Sequence, residues 1–238
     1  MIKYLLTYIV IASTLIYAKV NESFTLHHSD NSSFSIQFDI KNIELEEKGE
    51  YTRINTNTKG ETSIIGMPKL PQFSTLLKLD PQKEYAITYQ VISSHRISDV
   101  DIIPNQRIVN GLESENIDDI DMNFYSSTQV YPDNNIILSE PMVMRDIVLS
   151  SINVVPFKYY PQSRELEVYD SIQMQIIQTG QTEDIRRRQM PRSRVFENIY
   201  KNTIINYESD SRDEYQQSAI LYICPSSLIS NATFLDLV

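Results

Sequence analysis

Leu166-Glu167-Val168-Tyr169-Asp170-Ser171-Ile172-Gln173-Met174-Gln175-Ile176 is the stretch whose reading decides the fold. Its even positions are Leu166, Val168, Asp170, Ile172, Met174 and Ile176; its odd positions, counted from Glu165, are Glu165, Glu167, Tyr169, Ser171, Gln173 and Gln175. A side-chain period of two sets one apolar row against a core and turns a polar row to solvent, the pattern of a half-buried strand. Upstream, Ile147 to Tyr159 is rich in Val, Ile, Phe and Tyr, and Tyr160-Pro161-Gln162-Ser163-Arg164 has turn chemistry. The two runs are predicted to form a hairpin. Burying five apolar side chains at about 1.5–3 kcal/mol each does not offset ordering about thirty residues at roughly 1–2 kcal/mol each. The hairpin therefore needs a larger sheet or sandwich around it.

The flanking chain supplies further strands. Phe34, Ile36, Phe38 and Ile40 alternate with Ser35, Gln37 and Asp39, so Ser23 to Ile40 reads as a strand. Tyr51 to Ile54 is extended. Gly66-Met67-Pro68-Lys69-Leu70-Pro71 reads as a rigid crossover or sheet edge with a flexible glycine at its head. Phe73 to Leu79, closed by Asp80-Pro81, and the alternating Tyr85, Ile87, Tyr89 and Val91 are two more strands. From Ser98 to Asn135 the pattern weakens into long loops, with short strands expected near Val130 and Ile136 to Leu138. Val195, Phe196, Ile199 and Tyr200 fall at helical spacing after Pro191 and Ser193. Ala219 to Cys224 is an apolar run of the kind buried on both faces of a parallel sheet, and Pro225-Ser226-Ser227 looks like a strand-to-helix turn.

The totals bound the function. The 238 residues carry a net charge of −10, and Arg186, Arg187, Arg188, Arg192 and Arg194 lie within nine positions, leaving the remainder still more acidic. Nucleic acid is not an expected partner, because counterion release needs a basic folded surface. Five glycines and no tryptophan argue against a Gly-rich phosphate-binding fold and a Trp-based lectin platform. The single cysteine, Cys224, excludes an internal disulfide and a Cys-based zinc site. Lys3, the apolar run from Tyr4 to Tyr17 and Ala18 read as a secretory signal peptide cleaved after Ala18, with no membrane association afterwards. Export without disulfides points to a bacterial envelope or extracellular protein.

No cofactor or metal is expected. Asp118, Asp119 and Asp121 lack the glycine and distal glutamate of an EF-hand loop and read as a solvated acidic loop. His27, His28 and His95 have no partner at ligand spacing. No nucleophile-elbow, zincin or P-loop motif is present.

Gly66-Met67-Pro68-Lys69-Leu70-Pro71, followed by the run to Asp80-Pro81, resembles the G-x-P-x-L-P signature of the gingipain-type propeptide, the pro-region of C25 cysteine endopeptidases. Pro156-Phe157-Lys158-Tyr159-Tyr160-Pro161 with Leu166-Glu167-Val168-Tyr169 resembles that family's P-x-x-Y-x-P turn and L-x-V-Y strand. Phe196 to Tyr200 and Asn206-Tyr207 resemble its closing helix and N-Y pair.

The resemblance implies a mainly β fold: an antiparallel β-sandwich or barrel-like prodomain, with a truncated first βα unit of a caspase-like α/β domain at the C-terminus. The implied division is signal peptide 1–18, β domain 19–207, processing linker 208–218 and start of the C25 catalytic domain 219–238. It also implies a partner, the C25-type cysteine protease catalytic domain in cis, which the pro-region inhibits and helps to fold until proteolysis removes it. The family's catalytic His and Cys are not in this chain; Cys224 is not their equivalent, and the chain alone is expected to be inactive. Arg212 is the first candidate for maturation cleavage, with Arg188 and Arg194 in the basic cluster as others. Arg107 and Arg145 flank an otherwise acidic loop region and are the candidates for the inhibitory side chain, so the protease specificity, and a sortase-like or diverged C25 parent, stay open. The reading from a different class is a secreted β-sandwich adhesion or carbohydrate-binding module.

Overall fold

The structure is a computed structural model that describes residues 22–30, 32–58, 60–109, 112–113, 116–145, 147–185, 192–209 and 225–226. The strands are β1 (Phe24–Ser29), β2 (Ser33–Asp39), β3 (Glu44–Lys48), β4 (Tyr51–Asn55), β5 (Phe73–Leu79), β6 (Lys83–Ile97), β7 (Ile108–Val109) and β8 (Leu112–Glu113), then β9 (Ile136–Leu138), β10 (Met142–Met144), β11 (Ile147–Val154), β12 (Phe157–Tyr160) and β13 (Glu165–Gln181). Helices α1 (Met122–Tyr125) and α2 (Arg194–Thr203) complete the set. The predicted β fold is observed as two main antiparallel sheets, packed face to face as a sandwich and not closed into a barrel, with two small two-stranded sheets, β3–β4 and β7–β8, beside them.

β13 is the spine of the first sheet. One edge pairs with β6 along nearly its whole length; the other carries β12 at Glu165–Val168 and β2 at Ser171–Ile177, with β1 outside β2. Leu166, Val168, Ile172, Met174 and Ile176 are fully buried, as the period of two requires. Asp170 is the exception within that row. A bulge between Tyr169 and Ser171 breaks the register with β6, and Asp170 accepts a hydrogen bond from His95 Nδ1 at 2.9 Å instead of entering the core.

The second sheet is built on β11 in the same way, with β5 on one edge and β9 and β10 sharing the other. Phe38 of β2 meets Phe73 of β5 edge to face across the interlayer, with ring centroids 5.0 Å apart. Leu77, Ile152 and Val154 of the second sheet face Ile36, Ile172 and Met174 of the first.

The hairpin differs from the sequence expectation. Only β12 turns back on β13; Ile147–Val154 lies in the other sheet, and the chain changes sheets at Val155-Pro156. Pro156 has no N–H to continue a ladder. The buried Asn135 amide holds the crossing by donating to Val155 O at 2.7 Å and Phe157 O at 2.8 Å. The single strand predicted from Ser23 to Ile40 is likewise two. Asp30 Oδ1 accepts from the backbone N–H of Ser32 at 2.6 Å and Ser33 at 2.7 Å, an Asx turn that folds β1 onto β2.

Length explains the loops. The 17 residues of β13 span about 56 Å at 3.3 Å each, whereas the eight of β11 span about 26 Å. The first sheet therefore outruns the second, and its far end needs another cover. The segment between β6 and β9 supplies it: Val100, Ile102, Phe124 and Tyr131, with Ile54 and Leu70, bury Phe157, Tyr159, Leu166 and Val168 in a second core. The outer face of the second sheet is covered by α2, whose Tyr200, with Ile204 just beyond it, packs on Ile147 and Leu149. The run Ala219–Cys224, predicted to open a βα unit, lies outside the described residues.

Candidate interaction surface

The segment that caps the long end of β13 is held from within. Gln106 is buried, and its side chain uses all its polar capacity: Nε2 donates to Pro104 O at 3.0 Å and Asp119 O at 2.9 Å, while Oε1 accepts from the N–H of Asp118 and Asp119 at 2.9 and 3.0 Å. Gly66 N donates to Asn105 O at 2.9 Å, and Gly66 O accepts from Asp121 N at 3.1 Å. Gly66 has φ +81°, and a Cβ there would stand 3.0 Å from Asp121 N. The glycine expected to be flexible is a fixed left-handed residue clamped between two neighbouring segments. Thr62 Oγ1, donating to Pro68 O at 2.9 Å and accepting from Leu70 N at 3.1 Å, closes the proline segment into a compact loop.

Arg107 stands on this platform. Its backbone N–H and guanidinium both reach Asp119, at 3.1 and 3.0 Å, while its side chain remains 66% exposed at the entry to the β7–β8 hairpin. Ile108 next to it is exposed as well. The acidic stretch is thus not simply solvated: Asp119 orients Arg107, and Asp121 caps α1 by accepting from Phe124 N at 3.1 Å. Below, Tyr159 donates to Asp101 at 3.4 Å; burial, with the Asp101 charge adding to it, pushes the phenol up to about 12. Asp101 also pairs with Arg164 at 2.9 Å, tying this end of the molecule to the β12–β13 turn.

Arg145 is placed differently. It occupies the β10–β11 turn at φ +57°, and its guanidinium lies 4.5 Å from the centroid of the Phe196 ring on α2. Arg107 and Arg145 are held by separate partners on separate parts of the fold and do not form one site. Arg194 is the first residue of α2 and is exposed. Ala18, Arg188 and Arg212 lie outside the described residues, as does Cys224.

The closing segment contains one group whose role sequence reading missed, Glu197, and one whose partners it missed, Asn206. Glu197, on α2, is buried and accepts from Arg192 at 3.1 Å and from the Tyr207 hydroxyl at 2.9 Å, with Lys201 4.0 Å away. Burial works to raise its pKa, but the hydrogen bonds of Tyr207 and Arg192 and the Arg192 charge outweigh it and hold the carboxyl below its ordinary value. Asn206 pairs with the edge of β5 through Lys78. A glutamate in the first turn of a helix reads as a surface residue, so nothing local distinguishes Glu197. The Asn206-Tyr207 pair was visible as a motif, without its partners.

The C25 propeptide family profile, Propeptide_C25, matches residues 18–215. Gingipain R2 of Porphyromonas gingivalis is 27% identical over 201 residues, covering 79% of this chain and 27% of its own length. Gingipain R1 of the same organism is 27% identical over 191 residues, covering 77% and 19%. The chain thus spans about a quarter or less of these curated relatives. A chain from the complex of P. gingivalis RgpB pro- and mature domains superposes with a TM-score of 0.65 at 25% identity, covering 79% of this chain and all of that one. A structure on the zymogenic latency of P. gingivalis gingipain K shares the fold, with a TM-score of 0.56 at 14% identity over 66% of this chain and 92% of that one. With the family profile spanning most of the sequence and the same fold in a chain of the RgpB pro- and mature-domain complex, this chain belongs to the C25 propeptide family and is a gingipain-type pro-region.

Proposed function

We propose that this pro-region covers and inhibits the catalytic domain of a C25 cysteine endopeptidase in cis, assists its folding, and is removed by proteolysis after export to the cell envelope or exterior. The observation that carries the reading is the likeness of the sandwich to a chain in the RgpB pro- and mature-domain complex, over 79% of this chain. The export step rests on the sequence of residues 1–18. Tethering is a reasonable means of inhibition: a short linker holds an inhibitor at an effective concentration in the mM range, and cutting it removes that advantage. The same proposal divides the chain into a β domain over 19–207, a linker over 208–218 with Arg212 as the cleavage position, and the start of the catalytic domain from 219.

Arg107 is the better placed of the two inhibitory candidates. Its side chain projects from the segment braced by Gln106 and stays two-thirds exposed even while its guanidinium is paired with Asp119, so a protease cleft can reach it. Arg145 would first have to leave the Phe196 ring.

The test is inhibition by residues 19–212, purified and titrated against a cognate C25 protease. Slowing at sub-micromolar concentration is expected. Full activity throughout that range would remove the inhibitory role and leave only folding assistance. Retention on a glycan array or host-cell surface with no effect on the protease would favour an adhesion or carbohydrate-binding module instead.

A further inference from the structure

Arg192 lies before α2 and Tyr207 after it, fifteen positions apart, yet both end on the same carboxylate oxygen. Glu197 Oε2 accepts from Arg192 at 3.1 Å and from Tyr207 Oη at 2.9 Å. The Arg192 side chain is 15% exposed and that of Glu197 6%. Around this node Tyr207 packs at a tilt against Tyr200, with centroids 5.3 Å apart, and Tyr200 donates to Met144 O at 3.3 Å. Ile205 N donates to Leu76 O at 2.9 Å, so the chain leaving α2 is seated on β5.

A protease that cuts after arginine needs two things from its substrate: an extended backbone and the guanidinium inside its specificity pocket. Arg192 supplies neither the pocket nor the solvent with a free head group, because Glu197 holds it. Arg194 is already in the first helical turn. Cleavage at either position requires local opening, and its rate follows the population of the opened form when reclosing is fast.

We propose that Glu197 is a latch that closes the Arg192–Ser193 bond to hydrolysis by an arginine-specific protease, and that it couples that bond to Tyr207. Whatever withdraws Tyr207 weakens the hold on Arg192, and by linkage the reverse is also true. Water is the only co-reactant of the cleavage itself. The inference rests on reading this chain as a pro-region removed by proteolysis: processing beyond Tyr207 that disturbs its seat would expose Arg192 to a second cut.

The experiment is limited trypsin digestion of the 238-residue chain, with cut positions and initial rates read by mass spectrometry. The rate after Arg107, whose partner Asp119 none of the variants touches, serves as internal reference. Glu197→Gln and Tyr207→Phe are each expected to raise the relative rate after Arg192 at least tenfold, and the double variant to cut no faster than Glu197→Gln alone. An unchanged rate in Glu197→Gln would overturn the latch. An unchanged rate in Tyr207→Phe beside a raised one in Glu197→Gln would overturn the coupling. A uniform rise in Tyr207→Phe that includes Arg53 and Arg96, both within strands, would also overturn the proposal, since it marks global unfolding. Trypsin reports the latch whether or not the chain inhibits a C25 protease, so the two readings fail separately.

Discussion

The side-chain amide of Asn206 pairs with both backbone polar groups of Lys78: Oδ1 accepts from Lys78 N at 2.7 Å, and Nδ2 donates to Lys78 O at 2.9 Å. A single side chain thus stands in for a strand at the edge of β5, next to the parallel bridge between Leu76 and Ile204. Edge strands otherwise offer unpaired N–H and C=O groups to other chains.

Asn206→Ala removes both bonds and is expected to cost about 1–2 kcal/mol, read from urea unfolding at constant m-value. Asn206→Asp should lose as much, because a carboxylate accepts from Lys78 N but cannot donate to Lys78 O. A variant as stable as the parent would show that the pairing adds nothing.

Gly66→Ala places a Cβ 3.0 Å from Asp121 N at φ +81°. The left-handed conformation alone costs an L-residue about 1–2 kcal/mol, and here the neighbouring backbone must also shift. Lower stability should be accompanied by loss of amide protection around Asn105 and Asp121 in hydrogen exchange.

The core reading of β13 can be checked by contrast. Ile172→Ala, at a fully buried position, should cost about 2–5 kcal/mol. Gln175→Ala, exposed on the same strand, should stay within about 0.5 kcal/mol. Comparable losses at both positions would contradict the two-faced strand.

Glu197 makes the closing segment sensitive to acid. Its folded pKa is lowered, so its contribution is fully present above the unfolded value of about 4.3 and disappears as pH falls through the folded one. At pH 7 Glu197→Gln should cost about 1–3 kcal/mol, with the gap narrowing once the pH drops below about 4. A gap constant from pH 7 to pH 3 would refute the assignment.

Asp30 offers a direct titration. The His28 side chain first, then the N–H groups of Ser32 and Ser33, lower its pKa to about 2. Carboxyl NMR should show that midpoint, and His28→Ala should move it up toward the ordinary aspartate range.

Within the pro-region proposal, Arg107→Ala should weaken inhibition of a cognate protease by at least tenfold, about 1.4 kcal/mol. Asp119→Ala should weaken it less, since the guanidinium remains but is no longer oriented. Arg145→Ala should leave the inhibition constant within twofold while lowering the stability of α2 docking.

Local pattern carried much of this. The alternation through Leu166 and Ile172, the turn at Pro161–Arg164, the helix after Ser193 and the motifs of the C25 propeptide are contained in adjacent residues, because strand and helix periods and turn preferences act over a few positions. What adjacency does not contain is the choice of partner. That Ile147–Val154 leaves β12 for the second sheet, that a bulge turns Asp170 out to His95, and that Asn135 holds the crossing all depend on residues tens of positions apart. The same is true of the candidate interaction surface. Arg107 and Arg145 look alike as lone arginines beside an acidic stretch, and only folding sets one on Asp119 and the other on the Phe196 ring. Glu197, an unremarkable helix glutamate in sequence, becomes a node because the fold buries it between two residues on either side of its own helix, where a charge must find partners.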